Sequence, residues 1–113
     1  SVEEYRQKIQ ARMLEILGDA QIAEQRILAE AALFADKVSV TEEIVRLRSH
    51  LAQAAALVQG DQPAGRKLDF LAQELNREAN TIGSKANDYE LAQTVVEIKA
   101  EIEKIREQIQ NLE

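Results

Sequence analysis

Apolar residues recur along almost the whole chain at spacings of three and four, the period of a helix with one buried face. Val2, Tyr5, Ile9, Met13, Ile16 and Leu17 form a first stripe, which predicts a helix over 2–17 stopped by Gly18. A second helix is expected over 19–36, rich in Ala, with Ile22, Ile27, Leu28, Leu33 and Phe34 as its large residues. The run VSVTEE opens a third. Ser39 with Glu42 three residues on has the capping-box pattern, and Ile44, Leu47, Leu51, Ala54 and Val58 follow. QGDQPAG, 59–65, reads as a loop. Leu68, Leu71, Leu75, Ala79 and Ile82 mark a fourth helix from about Arg66, ended or kinked at Gly83. Asn87 with Glu90 reads as the cap of a fifth.

The fifth helix carries Leu91, Val95, Ile98, Ile102, Ile105, Ile109 and Leu112, an unbroken heptad seam with β-branched residues at every a position. Glu101 and Arg106 fall at g and the following e, where an interhelical salt bridge would form. The expected fold is therefore all-α: about five helices in one elongated bundle over 1–113, with a long coiled-coil-like C-terminal helix. The helix at 2–17 is a candidate connector to a further domain. The seam needs a partner helix, from this chain or from another copy.

Composition narrows the setting. With one proline and four glycines in 113 residues, long helices are unobstructed. No apolar run reaches the ~18 residues of a membrane span. There are no cysteines, so no disulfide or thiolate metal site can form, and a cytoplasmic location is expected. A first residue of Ser, with no signal-peptide pattern after it, suggests a processed chain, a tag remnant or a fragment. The net charge of -6 opposes nonspecific nucleic-acid binding by the chain as a whole. Residues 66–85 differ: Arg66, Lys67, Arg77 and Lys85 against Asp69, Glu74 and Glu78 give +1, leaving -7 elsewhere.

That stretch, GRKLDFLAQELNREANTIGSK at 65–85, is crowded with polar residues that a surface helix does not need. Glu74 and Glu78 lie four apart, so their carboxylates share a face and can hold Mg²⁺ or Mn²⁺. Asp69 is a further candidate ligand on a neighbouring face. Arg66, Lys67, Arg77 and Lys85 suit phosphates. His50, the one histidine, can be a general base or a ligand. The plainer reading is a solvated helix face and a histidine near a helix C-terminus, where positive charge is favoured. The sequence holds no nucleophile–base–acid triad, no phosphate-binding glycine loop and no zinc spacing.

The same stretch, followed by VVEIKAEIEKIREQIQNLE and preceded by EEIVRLRSHL, closely resembles the C-terminal end of the bacterial YicC family. The resemblance runs from about Arg26 to Glu113, and more loosely through the first helix. It implies a stress-associated cytoplasmic endoribonuclease that acts on RNA with a divalent metal and assembles into ring-like homo-oligomers. Family members are roughly twice this length or more, so the sequence reads as the C-terminal part of a longer protein, inactive by itself. Ser39 stands where the family often has Asp, an exchange of one helix cap for another.

Within that frame the assignments are these. Glu74 and Glu78 are catalytic and hold the metal, with Asp69 as a third ligand. His50 is base or ligand if its helix packs beside the fourth. Arg66, Lys67, Arg77, Asn80 and Lys85 bind RNA. The alternative is a helical assembly module, in which the polar motif is a buried hydrogen-bond network fixing register. Exposure of Glu74, Arg77 and Asn80 separates the two.

Overall fold

An apolar stripe passes Gly18 without changing phase. Ile9, Met13, Ile16, Leu17, Ala20, Ala23, Ile27 and Ala31 are all buried and follow one helical face. A glycine inside a helix costs about 1 kcal/mol relative to Ala, whereas each large apolar side chain kept buried contributes about 1.5–3 kcal/mol. The helix therefore continues. The computed structural model describes residues 1–34, 37–62 and 64–112. They form four helices rather than five: α1 Val2–Phe34, α2 Lys37–Gln59, α3 Gly65–Lys85 and α4 Tyr89–Leu112. No described residue lies in a strand.

Other boundaries also move. Ser39, read as a cap, is already within α2, and its side chain lies outside the described residues. Gly83 does not end α3, which runs on to Lys85. A Cβ at Gly83 would meet Val95 Cγ1 at 3.2 Å, so the missing side chain permits a close approach of α3 to α4. The cap of α4 is Asp88, not Asn87: the Leu91 N–H donates to Asp88 Oδ2 at 3.0 Å.

The helices close into a ring in chain order. α1 packs on α2 and α4, α3 packs on α2 and α4, and the pairs α1/α3 and α2/α4 lie across the bundle from each other. Cross-links fix the antiparallel register of the first and last helices. Thr94 Oγ1 donates to Glu30 Oε1, and Arg26 pairs with Glu97. At the other end Gln10 Nε2 donates to the Val58 carbonyl at 3.0 Å, satisfying a carbonyl at the end of α2. A 33-residue helix is about 50 Å long, which accounts for the 49 Å length of the molecule. Residues 1–8 are all exposed.

The seam of α4 is spent inside this chain. Leu91, Val95, Ile98, Ile102, Ile105 and Ile109 are buried between α1 and α3, and Leu112 is half-buried. α4 is thus a bundle helix with two neighbours, shorter than α1, rather than a long coiled-coil arm. Glu101 pairs with Lys104 and Arg106 with Glu103, each along its own helix instead of across to another. None of the described helices is long and apolar enough to cross a membrane.

Gly18 yields a test of the continuous α1. A Cβ there meets nothing within 4 Å. Gly18→Ala should therefore stabilise the bundle by about 0.5–1 kcal/mol, read as a raised denaturation midpoint. A destabilised Ala variant would mean that the chain does break at that point.

Candidate functional site

α2 and α3 form an antiparallel hairpin, and the polar residues of interest face one another across it. On α3, Glu74 and Glu78 project from successive turns. Glu78 is 2% exposed, while Glu74 is partly open to solvent. On α2, His50 reaches the same place. An imidazole nitrogen of His50 and one carboxylate oxygen from each glutamate lie within 4.8 Å of one another. Ligand bonds of about 2.0–2.3 Å hold three donors on one ion within about 4 Å of one another, so side-chain rotations of about 1 Å or less close the set.

The state of His50 is unusual. Both Nδ1 and Nε2 are buried, and neither has a hydrogen-bond partner. Burying a polar group unpaired costs about 1–3 kcal/mol, so an orphaned imidazole beside two carboxylates calls for a partner. A cation is the partner that all three groups share. One imidazole with two carboxylates suits Mn²⁺ or Zn²⁺ better than Mg²⁺, which prefers oxygen ligands. The residues present thus fit a divalent metal.

An ion-pair chain holds the inner glutamate. Arg46 Nε donates to Glu78 Oε2 at 3.1 Å, and Arg46 Nη2 donates to Glu43 Oε2 at 3.1 Å. Glu43, 4% exposed, accepts from Lys85 Nζ at 2.7 Å through its other oxygen. The hydrogen bond to Glu78 raises the Arg46 guanidinium above its ordinary value, against desolvation, and the charges of Glu78, Glu43 and Glu42 add to it. Arg46 therefore stays cationic and fixes one oxygen of Glu78. Arg77 Nη1 contacts Glu74 Oε1 at 3.3 Å from the solvent side. A second buried carboxylate, Glu24, is gripped by Arg48 through two bonds of 2.9 and 3.0 Å, but it lies on the α1–α2 interface. The bond to Glu24 also raises Arg48.

The other expected residues fall in different places. Asp69 does not join the cluster: it accepts from Gln73 Nε2 at 3.1 Å and is exposed. It lies five and nine residues before Glu74 and Glu78, about 140° and 180° round a helix that turns 100° per residue. Arg77 and Asn80 are exposed. Lys85 is engaged with Glu43. Arg66 and Lys67 line the lower end of the same interhelical groove, with Gln53, Phe70 and His50. A cavity of about 650 Å³ at the end of the bundle shares Arg66 and Lys67, and among the described residues that line it there is no carboxylate or imidazole side chain.

Arg46 and Glu43 were not singled out from the sequence. The signal was present: Arg46 stands four residues before His50, on its face, and three after Glu43.

The whole chain, residues 1–113, matches the family described as Endoribonuclease YicC-like, C-terminal. The chain belongs to that family. The YicC-like domain is 54% identical over 113 residues to a protein of Clostridioides difficile named "Probable endoribonuclease YicC", covering 99% of this chain and 39% of that protein. It is 43% identical over 104 residues to a Haemophilus influenzae protein of the same name, covering 90% of this chain and 36% of the other. The YicC-like domain therefore spans about two-fifths or less of the length of the curated relatives it matches, 39% and 36%. The likeness includes α1, where the sequence motifs are weakest.

Proposed function

We propose that this domain contributes the cutting site of a metal-dependent endoribonuclease, with His50, Glu74 and Glu78 as the metal ligands. The observation that carries the reading is the pair of buried, partnerless His50 nitrogens beside two carboxylates. A divalent cation bound there supplies positive charge to a phosphate oxygen and makes water more acidic. The residues of the chain do the rest. Arg46 holds Glu78 in one rotamer, as residues behind metal ligands do. Arg77 is 71% exposed and turns on its helix to meet an RNA phosphate, releasing Glu74. Asn80, one turn further along the exposed face, extends the contact with the RNA, while Lys85 stays with Glu43. Asp69 has no part in holding the metal.

The assembly reading is less well supported. Arg77 and Asn80 are exposed, and the network that links buried Glu78 and Glu43 to half-exposed Arg46 and Lys85 joins α2 to α3 within this chain. In the full-length parent the domain works in the cytoplasm as one subunit of a homo-oligomer.

Calorimetric titration of this domain with Mn²⁺ and with Zn²⁺ tests the site directly. One site per chain is expected, and His50→Ala should weaken it by about 10-fold or more. Equal affinity in parent and His50→Ala would remove His50 from the site. Absence of binding with both ions would end the metal reading.

A further inference from the structure

A groove of about 590 Å³ runs between α2 and α3 immediately beside the His50–Glu74–Glu78 cluster. Its lining joins an aromatic ring, Phe70, to two cations, Arg66 and Lys67, and an amide, Gln53, with His50 at its upper end. Phe70, the one aromatic residue of α3, is 58% exposed on a helix whose other large apolar residues are buried. It stands one turn before Glu74 on the same side of α3, about 6 Å along the axis. Arg66 and Lys67 have no ion-pair partner among the described residues. Arg46, Arg48, Arg77 and Lys85 are all engaged with carboxylates.

We propose that this groove seats one unstacked base of a single-stranded RNA, with Phe70 as its stacking platform and Arg66 and Lys67 on the adjoining phosphates. The proposal rests on the reading of His50, Glu74 and Glu78 as the cutting site, and makes Phe70 the residue that positions the nucleotide next to the cut. Every base has a π-face, so an exposed ring flanked by free cations binds single strands without needing a sequence. A base inside a duplex is covered on both faces and cannot lie on the ring, so the groove selects unpaired RNA. The charges argue against a second copy as the occupant. Two-fold pairing of this face would bring one Arg66–Lys67 pair toward the other. Gln53 lies at the groove wall with its Nε2 donating to Ser49 Oγ at 3.0 Å, and its amide oxygen and second N–H remain for the edge of the seated base.

The test uses the full-length parent and two labelled 12-nucleotide probes in EDTA: oligoadenylate, and a ribose-phosphate chain of equal length without bases. The parent should prefer oligoadenylate. Phe70→Ala should weaken oligoadenylate binding by about 5- to 100-fold and leave the baseless chain unchanged. Phe70→Trp should restore the preference and Phe70→Leu should not. Replacing Arg66 and Lys67 by Ala should weaken both probes alike and flatten the salt dependence. The base seat is overturned if Phe70→Ala binds oligoadenylate like the parent, loses both probes equally, or changes the mass of the assembly. It is also overturned if Leu serves as well as Trp. Cleavage by Glu78→Gln is measured separately with metal. If that variant cuts like the parent, the cutting site fails while the base seat stands or falls on the binding data.

Discussion

Glu78→Gln in the full-length parent should lower RNA cleavage by about a hundred-fold or more. Metal-ion assistance is worth several kcal/mol, and each 1.36 kcal/mol is a factor of ten in rate. Gln keeps the size of Glu and one acceptor oxygen but loses the charge that binds a cation. The fold should tolerate it. Arg46 is half-exposed and keeps Glu43 Oε2 at 3.1 Å, so its charge is not left buried and alone. Removing one of two neighbouring carboxylates also relieves repulsion in the metal-free state. The decisive readout is thermal melting with and without Mn²⁺. A ligand at a hundred times its Kd adds about 2.7 kcal/mol to stability. The parent should gain that increment, and Glu78→Gln should not. Arg46→Ala should fall between them, with metal affinity down about 10–100-fold, because Glu78 then loses the group that aims it. Parent-like cutting by Glu78→Gln would place the chemistry elsewhere.

Ile102 carries the largest expected effect on stability. It is 1% exposed in the middle of α4, where α1 and α3 both pack against that helix. Ile102→Ala should cost about 2–5 kcal/mol, the lost transfer energy plus a residual cavity. A domain of this kind has about 5–15 kcal/mol in total, so the variant should fold but with a much lower denaturant midpoint. Ile102→Asp adds a buried charge with no partner and should not fold. Because the seam is filled by this chain's own helices, loss of stability comes first and any change of mass follows from unfolding. An Ile102→Ala variant with an unchanged midpoint would contradict the packing of α4.

Some of this was legible in the sequence because the physics is local. The 4-3 spacing from Leu91 to Ile109 and the stripe from Leu68 to Ile82 each specify one helix face, and those faces are buried. Glu74 and Glu78 lie together because of spacing alone. Gly18 was misread because a stop signal and a tolerated interior glycine look alike; only the stripe on both sides decides. His50 depended on a non-local fact, the packing of α2 on α3, which no spacing within one helix contains. Lys85 was read as a cation for RNA, yet its partner is Glu43, 42 residues earlier. Asp69 was read as a ligand from a neighbouring face, yet it lies about 140° and 180° round the helix from the two glutamates. Phe70 drew no notice because one aromatic on a helix is ordinarily core.

The candidate site lies within one helical hairpin, and this has a consequence for how the chain acquires it. The bonds that define it span modest lengths of chain: Arg46 to Glu78 is 32 residues and Glu43 to Lys85 is 42. Closing the bundle instead requires Glu30 to find Thr94, 64 residues on, and Arg26 to find Glu97, 71 residues on. Shorter loops cost less entropy to close, and chains emerging from the ribosome offer their contacts in order. α2 and α3 can therefore meet, and His50, Glu74 and Glu78 converge, before α4 has left the ribosome. The hairpin then waits with the face of α3 that packs on α4 uncovered until that helix arrives to seal it. The last helix acts as a lock on a site already assembled.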